Sequence, residues 1–138
     1  MKILVAVDGS KASLKAVQLL IDHTDWFREA PQVELLAVHL PVPRVSRTNK
    51  TQLERYYQEE GEGMLGAARK KLDGAGIAYE ARVLVGPVAE TVVKHAKEKR
   101  CDLIYIGTRG MSELGKVLVG STASKVLHIS DIPVLLVK

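Results

Sequence analysis

Five short apolar runs punctuate the chain: KILVAV at 2–7, VELLAVHL at 33–40, IAYEARVLV at 77–85, DLIYI at 102–106 and VLLV at 134–137. Between them apolar positions recur with helical period. Ala12, Ala16, Val17, Leu19 and Leu20 form one such stripe, and Leu53, Tyr57, Met64, Ala68 and Leu72 a longer one. A third takes Val88, Ala89, Val92, Val93 and Ala96, and a fourth Val126, Leu127 and Ile129. The pattern predicts five strands alternating with four helices. Strands that are apolar on successive positions bury both faces, so the expected architecture is an open parallel sheet covered by helices on both sides, with right-handed crossovers.

Local signals set the expected boundaries. Thr51 and Glu54 have capping-box spacing at the start of the long helix, and DGAG at 73–76 ends it. Gly61, Gly63 and Gly66 are expected to weaken that helix, each by up to ~1 kcal/mol relative to alanine. Pro87 fits a first helical position, and Ser121 is placed to cap the last helix. Pro41 and Pro43 close the second strand. The segment 41–50, PVPRVSRTNK, is expected to be the least ordered. The closing strand, PVLLVK, reads as an apolar sheet edge that needs cover.

Composition narrows the class. With 46% hydrophobic and 26% charged residues over 138 positions, the chain reads as one globular domain spanning 1–138. No window approaches the ~20 apolar residues of a membrane span, and MKILVAVDGS turns polar too soon for a signal peptide. The cytoplasm is the expected compartment. Cys101 is the single cysteine; at the start of an apolar run it is expected to be buried and inert. The net charge of +4 is spread along the chain and aromatics are only 4%, which argues against a nucleic-acid surface. The densest basic run, KHAKEKR at 94–100, falls at a helix C-terminus, where cations oppose the helix dipole.

Candidate chemistry concentrates behind the fourth strand, where GTRGMSELGKVLVGST at 107–122 holds four glycines. In open α/β sheets ligands collect at the carboxyl ends of the strands where strand order reverses. Gly107 and Gly110 would let the backbone turn and approach a ligand, and Gly120-Ser121-Thr122 opens a helix with free N–H groups and two hydroxyls. Such a start binds phosphate. Glycines there also serve plain turns and close helix packing, and spacing alone leaves both readings open. Residues 110–117, GMSELGKV, imitate the phosphate-binding loop G-x-x-x-x-G-K-[ST] but put Val117 where a hydroxyl must hold magnesium. His39, inside an apolar strand, is expected to be a hydrogen-bonded core histidine. The remaining histidines are scattered and suggest no zinc site. No base, nucleophile or metal pair is evident beyond Asp8, so an enzyme is not expected.

The spacing G-x2-G-x9-G-[ST], filled by Gly107, Gly110, Gly120 and Ser121, resembles the ATP-binding loop of the universal stress protein family. The likeness extends to ILVAVDGS, LLAVHL, DLIYIGTRG and GSTASKVLHISDIPVLLVK. It implies a Rossmann-like sheet of order 3-2-1-4-5, of the adenine nucleotide alpha-hydrolase-like type. It implies ATP as ligand, with magnesium carried on the phosphates, and a cytoplasmic homodimer pairing through the C-terminal strand. It further implies a switch or partner-binding role in stress response, with no nucleic acid or membrane partner. Alternatives are a slow ATPase or nucleotidyl-using enzyme, and a structural dimer with a vestigial pocket. On this resemblance Asp8 would accept from the ribose hydroxyls, Ala6 and Val7 would line the adenine pocket, and the Leu40 backbone would meet the adenine edge. Gly107, Gly110, Gly120, Ser121 and Thr122 would wrap the phosphates, and Ile106 is a further cofactor-binding candidate. Arg109 either reaches a phosphate or points to water. Ala123 departs from members with a threonine there.

Overall fold

The computed structural model describes residues 1–43, 49–108 and 119–138. Five parallel strands, β1 (Lys2–Ala6), β2 (Gln32–His39), β3 (Tyr79–Val85), β4 (Leu103–Gly107) and β5 (Val134–Val137), form one sheet of order β3-β2-β1-β4-β5. Helices α1 (Lys11–Asp22), α2 (Lys50–Gly74), α3 (Val88–Glu98) and α4 (Ser121–Ile129) alternate with them, and a single 3-10 turn, Thr24–Trp26, follows α1. The expected sheet and order are present.

Side-chain alternation divides the core in two. Ile3, Val5, Val33, Leu35 and Ala37 face α1 and α2, meeting Ala16, Val17, Leu20, Leu65, Ala68 and Leu72. Leu4, Leu36, Val38, Ile104 and Ile106 face α3 and α4, meeting Ala89, Val92, Val93, Ala96, Ala123 and Val126. The period of two along each strand therefore supplies two faces, and the helices on each side supply the matching stripes. Cys101 is buried in the second cluster, where burial pushes its thiol pKa up.

Several local expectations need correction. Helix α2 starts earlier than Thr51: Asn49 is the cap, its side chain accepting from the Gln52 N–H at 2.8 Å while Gln52 returns the bond to the Asn49 N–H. Both spacings fit a capping box, and the earlier one adds helical hydrogen bonds at no steric cost. Pro87 caps α3 from outside rather than opening it. Strand β4 runs on to include Gly107, and β3 begins at Tyr79 rather than residue 77. In α2, Leu53, Tyr57 and Met64 are only half-buried, while Leu65 and Gly61 are buried. Gly61 is there because a Cβ would lie 2.1 Å from a Val83 methyl, so the helix rests directly on β3; Gly63 and Gly66 face open space.

His39 is not in the core. It ends β2, half-buried, with its ring against Tyr56 and Tyr57 of α2. The buried histidine is His95 of α3, which donates from Nε2 to Glu34 Oε1 at 2.8 Å.

Candidate functional site

Strand order reverses between β1 and β4. At the carboxyl ends of these strands and of β2, the first turns of α1, α3 and α4 converge on a cleft of about 170 Å³. Its walls differ in chemistry. Leu36 and Val38 of β2 with Val88 and Val92 of α3 make an apolar side; Asp8, Ser10, Ser13, Thr108 and Thr122 bring polar groups.

The turn after β1 is tied by a compact hydrogen-bond set. Ser10 N–H donates to Asp8 Oδ1 at 2.8 Å, and Asp8 N–H donates to Ser13 Oγ at 3.3 Å. Ser10 also caps α1, its Oγ accepting from the Ser13 N–H at 3.2 Å. Asp8 therefore does act as a turn residue, and it lines the cleft as well. Partial burial pushes its carboxyl pKa up, but the hydrogen bonds from Ser10 and Ser13 outweigh this and leave the net pKa below the usual aspartate range. The carboxylate is thus a fixed acceptor at neutral pH.

Helix α4 starts at Ser121, just after Gly120. Ser121 does not cap the helix as expected: Gly120 is the cap residue, no side chain caps the first turn, and Ser121 is exposed. Gly120 has no side chain to offer, so among the described residues no side-chain cap bond holds the first turn. Such a terminus favours anions. Gly120, Thr122 and Ala123 bring this end of the helix to the cleft.

Gly107 also lines the cleft, but the close approach there is to protein. A Cβ at this position would sit 2.2 Å from the Ala12 carbonyl oxygen. The last residue of β4 must be glycine for the first turn of α1 to rest on it, and it occupies a strand rather than a turn.

Of the residues singled out in the sequence, Ala6, Val7, Asp8, Ile106, Gly107, Gly120 and Thr122 meet at this cleft. Ser121 is adjacent to it without lining it. Leu40 lies just past β2 with 60% exposure and outside the lining. Arg109, Gly110 and the rest of the stretch 110–117 lie outside the described residues. The sequence reading missed Ser10 and Ser13, which the Asp-Gly-Ser turn signal before α1 points to. It also missed Leu36 and Val38, which period-two spacing along β2 places on one face. Among the described residues no cluster of three or more His, Cys, Asp or Glu side chains could hold a metal ion, and no helix is long and apolar enough to cross a membrane.

An open parallel α/β sheet, with an aspartate and a helix start lining one cleft at its switch point, defines the class: a doubly wound protein with a cleft at its carboxyl edge. The model of the universal stress protein family matches residues 1–138, and the chain belongs to that family. It is 32% identical to universal stress protein YxiE of Bacillus subtilis over 99% of this chain and 98% of that protein. The solved structure of MJ0577, a universal stress protein of Methanocaldococcus jannaschii, superposes with a TM-score of 0.75 at 28% identity, covering 99% of this chain and 94% of that one. A universal stress protein solved in complex with cAMP shares the fold with a TM-score of 0.74 at 24% identity, over 100% of this chain and 97% of that one.

Proposed function

We propose that this protein binds an adenine nucleotide, ATP foremost, and uses occupancy as a switch for a partner in stress response rather than for catalysis of its own. The observation that carries the reading is that an ionised Asp8 and the first turn of α4, without a side-chain cap among the described residues, line one cleft. A carboxylate suits ribose hydroxyls, which are donors, and a helix start suits phosphates. The apolar wall of Leu36, Val38, Val88 and Val92 suits a base. The residues present therefore fit a nucleotide lying from α3 toward α4. Gly107, Gly120, Ser121 and Thr122, with Arg109 and Gly110, belong to the phosphate side of this reading. Magnesium would arrive on the phosphates, since the described residues offer it no ligand cluster. The cAMP complex of a neighbour of the same fold agrees with this ligand class.

The same proposal includes a homodimer through β5, a sheet edge whose Val134, Leu135 and Leu136 are only half-buried. Pairing of that edge would remove an aggregation hazard. Sedimentation at micromolar concentration checks this, a monomer counting against it.

Mass spectrometry of small molecules released on denaturation, followed by ATP calorimetry on the emptied protein, tests the nucleotide reading. Co-purified nucleotide or micromolar affinity supports it, and Gly120→Leu should then weaken binding while leaving the fold intact. Absence of nucleotide and of binding heat with magnesium present would make the cleft architectural. Product release at several per second in a turnover assay would replace the switch with an enzyme.

A further inference from the structure

The apolar side of the cleft continues, toward the amino ends of the strands, into a buried polar pair that does not itself line the cleft. On β2, Leu36 and Val38 line it, and Glu34, two residues earlier, lies on the same face of the strand. On α3, Val88 and Val92 line it. His95, seven residues after Val88 and three after Val92, continues their stripe. Glu34 therefore lies about 7 Å along the strand from Leu36, and His95 about 4.5 Å along the helix axis from Val92. Here the two rows are joined. His95 Nε2 donates to Glu34 Oε1 at 2.8 Å, and both side chains are buried.

Among the described residues this is the one side-chain hydrogen bond between α3 and the sheet. The ion pairs of Glu90 with Lys125 and of Lys97 with Asp131 tie α3 sideways, to α4 and the turn after it, and they lie at the surface, where such pairs contribute little. Replacing a buried polar pair by apolar residues is often neutral or stabilising, so stability does not account for this one. It even leaves Glu34 Oε2 buried without a hydrogen-bond partner among the described residues. What the pair supplies is a span. Glutamate and histidine reach farther from their backbones than two leucines do, and the bond between them fixes distance and direction. Apolar side chains settle instead at whatever spacing closes the gap.

We infer that Glu34 and His95 are positioning residues, a buried strut that sets how far α3 stands from β2 and so the width of the apolar slot that takes the ligand's base. This rests on the nucleotide reading above. The slot is walled by Leu36 and Val38 on one side and Val88 and Val92 on the other, and the strut joins those same two rows. A shorter strut draws α3 toward the sheet and narrows the slot. The phosphate side, at the start of α4, is untouched, and neither strut residue touches the ligand.

The test is calorimetry of ATP and of inorganic tripolyphosphate on the full chain, with urea unfolding of each variant alongside. Glu34→Leu with His95→Leu shortens the strut. Glu34→Met with His95→Phe keeps its reach without its polarity. The leucine pair should bind ATP about two- to thirtyfold more weakly and leave tripolyphosphate unchanged, while the methionine–phenylalanine pair restores ATP binding. If the leucine pair does not fold, Glu34→Asp, which shortens the strut by one methylene and keeps the carboxylate, carries the same expectation. Unchanged ATP affinity in the shortened strut overturns the inference. So does an equal loss for ATP and tripolyphosphate, which means general loosening, and so does failure of the long apolar pair to restore binding. If wild type binds no ATP, the nucleotide reading fails and the inference falls with it, an outcome visible before any variant is measured.

Discussion

Removing His95 alone should cost more than removing His95 and Glu34 together. The Glu34 side chain is 1% exposed, and its Oε1 is shared between His95 Nε2 at 2.8 Å and Arg82 Nε at 3.3 Å. Its Oε2 is buried and, among the described residues, has no hydrogen-bond partner. His95→Leu leaves a buried carboxylate with one exposed cation for company, and stranding a buried charge in this way costs about 3–5 kcal/mol. Glu34→Leu with His95→Leu removes the desolvation cost of both groups along with their mutual hydrogen bond. Such exchanges range from neutral to stabilising, and Arg82, with its side chain 47% exposed, can turn to water. Urea unfolding of wild type, both single variants and the double variant at pH 7 closes a double-mutant cycle. In a chain of this size the His95→Leu loss corresponds to a fall of roughly 10 °C or more in melting temperature, and the double variant should recover most of it. Additive costs, with the double variant the least stable of the four, would refute the reasoning.

Three further outcomes follow from the geometry. Gly107→Ala should destabilise by about 1–3 kcal/mol, because the added methyl meets the Ala12 backbone, whereas Gly63→Ala, with nothing within 4 Å, should stabilise by up to ~1 kcal/mol. Equal effects in chemical denaturation would show that the Ala12 contact does not decide the matter. Asp8 has a folded pKa below its ordinary 3.8, so its contribution to stability is complete above that value and is lost as pH falls through the lower folded pKa. The difference in unfolding midpoint between wild type and Asp8→Asn should therefore be constant from pH 7 to about pH 5 and shrink below pH 4; a difference that grows on acidification would contradict the hydrogen bonds from Ser10 and Ser13. Asn49→Ala breaks the capping box and should cost about 0.5–2 kcal/mol, while Thr51→Ala should cost less, since circular dichroism and unfolding would report no cap lost there.

These predictions fall mostly where the sequence was least legible. Strand runs such as KILVAV and DLIYI are apolar on both faces because each strand is covered twice, so their positions could be read without knowing their neighbours. Strand order was legible only through the resemblance, because the apolar runs look alike and nothing within them names a partner. The cleft was half legible. Asp8, Gly107, Gly120 and Thr122 sit at element ends, where a polar or glycine residue breaks an apolar pattern, and such breaks are visible locally. Leu36 and Val38 look like any other core positions of β2 until the cleft they line with Val88 and Val92 of α3 is known.

The two histidines show the limit most clearly. His39 lies in an apolar context and reads as core, yet it is the last residue of its strand, where the sheet opens to solvent. His95 lies in the basic run KHAKEKR and reads as part of a solvated helix end. It nonetheless falls three positions after Val92 and one before Ala96, on the stripe that α3 buries. Charge density along the sequence and facing on the helix gave opposite answers, and facing decides burial, because Lys94, Lys97 and Glu98 on either side can reach water while His95 cannot. What makes that burial tolerable is Glu34, 61 residues away in VELLAV. A polar residue on a buried stripe is therefore an incomplete statement until a second is found on the facing strand, and in this chain the one acidic residue inside β2 was the place to look.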